Sequence, residues 1–109
     1  MSEESRKPIY SSRMDDPSDS DAIDRFVIRL AERIDALQDA EADGDLAHLE
    51  ALAGELLVEA REAGFEALVA FAETLEGACV GGDSEAARER LLELTEIAQR
   101  IRLGHRGAV

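Results

Sequence analysis

Leu52-Ala53-Gly54-Glu55-Leu56-Leu57-Val58-Glu59-Ala60-Arg61-Glu62-Ala63-Gly64-Phe65 is the stretch that decides how this chain is read. Apart from its glycines it is rich in good helix formers. Gly64 falls where the helix should end, at the left-handed position that glycine adopts without steric penalty. Gly54 falls in the middle, where glycine costs about 1 kcal/mol relative to alanine. Leu49, Leu52, Ala53, Leu56 and Ala60 make the apolar stripe of this helix. Gly54 and Val58 point away from that stripe, where a plain bundle helix would carry charge.

The same pattern extends in both directions. Ile23, Phe26, Val27, Leu30, Ile34 and Leu37 form one stripe of a helix expected from about Asp21 to Ala42, with Asp19, Ser20 or Asp21 as its cap. Gly44 ends that region, and Asp45 caps the second helix, which runs to about Ala63. Phe65, Leu68, Val69, Ala72, Leu75 and Cys79 share a face of a third helix, broken by Gly81 and Gly82. Asp83 or Ser84 caps a fourth, with Ala87, Leu91, Leu94, Ala98 and Ile101 inward. Four helices of similar length on short turns predict an all-α fold, an antiparallel up-down four-helix bundle. Residues 1–20 read as a polar tail, partly ordered, in which Ile9, Tyr10 and Met14 could plug one end of the bundle. The bundle is expected over residues 21–103. Gly104 and Gly107 then open a C-terminal tail over residues 104–109.

The 109 residues suffice for one domain and one core. Twelve basic and 25 acidic residues give a net charge of −13, which opposes binding to nucleic acid or to anionic membrane surfaces. No apolar run approaches the roughly 20 residues that span a bilayer, and no signal peptide is evident, so the expected location is cytoplasmic. Cys79 is the single cysteine, which excludes an internal disulfide.

Few side chains suggest chemistry. His48 lies about 110° from the centre of its helix's core stripe and has no histidine or cysteine at i+3 or i+4, so it reads as a surface histidine and no metal site is expected. His105 falls beyond the last expected helix. Cys79, on an apolar face without a histidine partner, reads as a buried inert thiol. With no nucleophile–base pair and no phosphate-cradling loop, neither an enzyme nor a cofactor is expected.

Residues 8–103 resemble the histidine-phosphotransfer (HPt) domains of two-component phosphorelays, which are four-helix bundles. The family's second helix carries its phosphoaccepting histidine in a pattern close to Leu-Ala-His-x-Leu-Lys-Gly, often followed by a Gly-Phe turn. Leu52, Ala53 and Leu56 fit that frame, and Gly64-Phe65 follows at a compatible distance. Phe26 through Arg33, Gly44-Asp45, Gly82-Asp83 and Glu85-Ala86-Ala87 add to the likeness. The departures fall on the functional positions: Gly54 replaces the histidine, Leu57 the lysine and Val58 the small glycine. His48 lies about 120° around the helix from Gly54 and cannot replace the missing imidazole. The resemblance therefore implies the fold and a docking surface without the phosphotransfer chemistry.

At 100° per residue, Ala47, Ala51, Gly54 and Val58 lie within about 60° of one another, and Leu57 sits between them and the core. Together with Arg61 these residues form the candidate docking strip. Its expected occupant is a response-regulator receiver or another signalling protein, with a second copy of the chain as the alternative. Two blander readings stay open: a drifted face without function, and coverage by the N-terminal tail through Ile9 or Tyr10. From Asp45 to Cys79 there are eight acidic residues and one basic, Arg61, so a cation-bearing or basic partner surface is favoured.

Overall fold

The structure, a computed structural model, describes residues 9–12 and 20–107. The described residues form four helices: α1 (Ser20–Ala42), α2 (Leu46–Ala63), α3 (Glu66–Val80) and α4 (Ser84–Gly107). Each packs on its neighbours in sequence, and α1 closes the ring against α4, which gives the antiparallel four-helix bundle that the periodicity predicts.

The three turns share one construction. Gly44, Gly64 and Gly82 adopt φ values of 72°, 82° and 70°. In each turn the glycine N–H and the N–H that follows it reach back to carbonyls of the finished helix. Gly64 donates to Arg61 at 3.2 Å and Phe65 to Ala60 at 2.9 Å; Asp45 and Asp83 likewise donate to Ala40 and Ala78, each at 3.1 Å. This is the paired closure of a Schellman motif, and only glycine adopts its left-handed conformation cheaply. The residue after each glycine also starts the next helix. Asp45 Oδ1 accepts from the His48 N–H at 3.0 Å, and Asp83 Oδ1 accepts from the Ala86 N–H at 3.0 Å. Phe65 has no capping side-chain bond. It is buried instead, and its ring stacks on Phe26 of α1 with centroids 5.4 Å apart.

The core follows the four stripes. Leu30 and Leu37 meet Leu49, Leu56, Leu68, Leu75, Leu94 and Ile101, and all eight are fully buried. Ile97 joins the buried set although it lies off the stripe expected for α4, whereas Leu52 and Val69 are half-buried at its margin. Residues 9–12 lie across the end of the bundle where α2 and α4 finish. The Ile9 N–H donates to the Arg100 carbonyl at 3.0 Å and the Ser12 N–H to the Gly64 carbonyl at 2.8 Å. The buried Ser11 hydroxyl donates to the Ala63 carbonyl. Ile9 therefore does plug one end of the bundle, while Tyr10 stays exposed and Met14 lies outside the described residues.

One boundary expectation needs correction. The tail expected from residue 104 is helical through Gly107, with Gly104 buried, so His105 lies within α4 and not beyond it. Gly104 does not take a positive φ and so cannot act as the three turn glycines do. At the other end α1 begins at Ser20, which places Asp21 inside its first turn; Asp19, the remaining candidate cap, lies outside the described residues.

A side chain added at Gly44 or Gly82 would meet open space, so any cost of substitution there is conformational. Gly44→Ala and Gly82→Ala should each lower unfolding free energy by about 1 kcal/mol without removing a contact, read from urea midpoints at unchanged m-value. Leu75→Ala, in the fully buried core, should cost about 2–5 kcal/mol in the same measurement.

Candidate functional site

In the ring of four helices, α2 packs against α1 on one flank and α3 on the other. Its outer face is left uncovered by the described residues. Ala47, Ala51, Val58 and Arg61 are exposed there, with Val58 51% accessible, while Gly54 and Leu57 are half-buried. Leu57 packs against the core, as its position between strip and stripe predicts. The described part of the N-terminal segment is bonded at Ala63, Gly64 and Arg100, at the end of the bundle, and leaves the strip open.

Acidic side chains border the strip on both flanks. Towards α1, Arg33 is held by Glu59 and lies 3.3 Å from Glu55. Those pairs neutralise an arginine but leave Glu62 facing solvent on the same side. Towards α3, Arg61 reaches Glu73 at 4.0 Å. Both partners are more than half exposed, so this pair contributes little to stability.

Gly54 has a specific neighbour. An ideal Cβ built on it would lie 3.1 Å from Glu76 Oε2, the tip of an α3 side chain. The close approach that a mid-helix glycine permits is thus taken up within the chain by a carboxylate lying over the α2 backbone. The sequence alone does not reveal this contact, because Glu76 belongs to another helix and its reach depends on how α2 and α3 cross. The same is true of the Arg33 bridge to Glu55 and Glu59.

Behind Glu76 lies Cys79, which is buried. Burial pushes its thiol pKa above the ordinary value, and the nearby Glu50 and Glu76 carboxylates push it further the same way, because a thiolate there would be both desolvated and repelled. That environment suits the inert thiol expected from the sequence. His48 is exposed near the start of α2, and His105 has no described side chain. Among the described residues no three His, Cys, Asp or Glu side chains converge as metal ligands, and no helix is long and apolar enough to cross a membrane.

The arrangement offers a shallow apolar strip between acidic borders, without a nucleophile aligned to a base. No family model matches the chain, and neither curated proteins nor solved structures provide a match.

Two outcomes follow from this geometry. Gly54→Ala should raise stability by about 0.5–1 kcal/mol, since the helix gains propensity and the rotatable tip of Glu76 can withdraw a few tenths of an ångström; a fall in denaturation midpoint would show that Glu76 is rigidly held. Cys79 in the native protein should react with iodoacetamide at pH 8 at least about tenfold more slowly than in urea, because its thiolate is disfavoured and covered.

Proposed function

We propose that this chain is a histidine-phosphotransfer-like docking protein that binds a response-regulator receiver or a related signalling partner without carrying phosphate. It would act in the cytoplasm as an adaptor, decoy or inhibitor, needing no cofactor. One observation carries the reading: the outer face of α2 is open and apolar, yet position 54, where the resemblance puts an imidazole, is glycine overlaid by the Glu76 carboxylate. No imidazole stands at that point to take a phosphoryl group, and the carboxylate adds negative charge to the middle of the strip. The fold and the exposed position of the strip are what such a docking role requires.

The alternative reading is a structural module that self-associates through Ala47, Ala51, Gly54 and Val58. A two-fold contact through this strip would bring the Glu55, Glu62, Glu73 and Glu76 borders of two copies together, in a chain of net charge −13. Like charges brought together across an interface oppose association, which favours a different, less acidic partner.

Val58→Asp should weaken capture of a receiver partner about tenfold or more while leaving the circular dichroism spectrum and melting midpoint essentially unchanged. Incubation with a receiver carrying labelled phosphate should leave this chain unlabelled. Acid-labile label on any histidine here, His48 included, would overturn the non-catalytic reading. Monomeric sedimentation of the wild type at high concentration would remove the self-association reading, whereas a dimer split by Gly54→Arg would favour it over receiver docking.

A further inference from the structure

On the other side of Glu59, away from the strip, α1 and α2 enclose a surface recess of about 180 Å³. Arg25, Arg29 and Arg33 line it from α1, spaced four residues apart so that their side chains stack along one face. Like charges at i,i+4 oppose helix formation, so two consecutive spacings of this kind carry a small standing cost. The three guanidiniums are not equivalent. Arg33 is held by Glu59 and bridges to Glu55. Arg25 and Arg29 make no ion pair among the described residues, although Glu62 stands in the wall of the same recess. Two arginine charges therefore lie side by side along the α1 wall of a cavity that Phe26 also lines.

The negative end of α2 is partly masked at this point. Ala63, which also lines the recess, gives its carbonyl to the Ser11 hydroxyl, and the Gly64 carbonyl accepts from Ser12. The chain as a whole repels anions, but at physiological ionic strength that field decays over about 8 Å, and groups inside the recess dominate. Guanidiniums present paired donors in a fork that matches the oxygens of a carboxylate or phosphate. Two guanidinium forks, neither in an ion pair among the described residues, match two negative charges better than one. The volume is that of roughly six waters, enough for a phosphate group with a small substituent and too small for a nucleotide.

We propose that the Arg25–Arg29 recess binds a small dianion of the phosphate-monoester type. Arg25 and Arg29 form the charge-assisted hydrogen bonds, Arg33 is held in place by Glu59 as the fixed end of the ladder, and Phe26 supplies apolar lining. Glu62 opposes the ligand. This site is separate from the docking strip and stands or falls independently of it.

The test is a titration of the full chain with inorganic phosphate at pH 7.5 and constant ionic strength, followed by NMR of the arginine side chains and the α1 amides. Saturable shifts at Arg25, Arg29 and Phe26 are expected, absent with chloride at matched ionic strength and weaker with acetate. The double variant Arg25→Gln/Arg29→Gln should bind about tenfold more weakly or worse. Arg102→Gln, on α4, should bind as the wild type does. Glu62→Gln should bind two- to threefold more tightly, a gain that a damaged fold would not produce. Shifts that never saturate, equal shifts with chloride, or unchanged affinity in the double variant would each overturn the proposal.

Discussion

The bundle depends on a left-handed glycine at every turn. Gly44, Gly64 and Gly82 each close one helix, and the very next residue opens another. No slack residue remains to let consecutive helices diverge, so each must return alongside the one before it. That return brings the apolar stripes face to face and buries Leu49 and Leu56 against Leu30, Leu68 and Leu75. Each turn costs only about 1 kcal/mol to disturb, against several for a core leucine. The turns nonetheless come first in the logic, because the stripes can meet only if the turns set the helices antiparallel.

A closed ring of four helices leaves each one a single outward face. On α2 the outward positions include Ala47, Ala51 and Val58, and apolar side chains are also exposed on the other helices, at Ile28, Val80 and Leu92. The glycines also divide into two kinds with opposite physical meaning. Those at the turns are there for their backbone, and their missing Cβ faces open space at positions 44 and 82. Gly54 has ordinary helical geometry and is there for its missing side chain, which lets the Glu76 carboxylate lie over the helix. A single residue type thus serves the fold in one place and shapes the surface in another.

The fold was legible in the sequence because its determinants are local and periodic. Three- and four-residue spacings of Leu, Ile and Val, with Gly-Asp and Gly-Phe pairs between them, give the helices and their order. Gly104 matches the turn glycines in identity but not in context. The residues after it do not start a new helix, and α4 simply continues. Exposure of Ala47, Ala51 and Val58 also follows from helical angle alone. Contacts made across helices were not legible: Glu76 over Gly54, Arg33 on Glu55 and Glu59, and Ser11 on Ala63 all depend on crossing geometry and rotamers. The arginine ladder left a trace in the spacing of Arg25, Arg29 and Arg33. Only the structure separates the paired member from the two that face the recess.

Charge is divided unevenly over the bundle, and that division bears on what the α2 strip can meet. From Asp45 to Cys79 eight carboxylates face a single arginine, and that arginine leans towards Glu73. The other arginines of the described helices sit on α1 and α4. A partner approaching the strip therefore enters the negative half of the molecule. Leu57, at the position where the resemblance puts a lysine, removes the positive charge that would temper an acidic partner. Glu76 adds negative charge at the place where an imidazole would stand. In the proposed docking role both would favour a surface that brings its own positive charge, as a bound cation or as Lys and Arg side chains. The two positions that set this chain apart from the resemblance would then also narrow the electrostatics of the proposed docking, through side chains whose positions the bundle fixes.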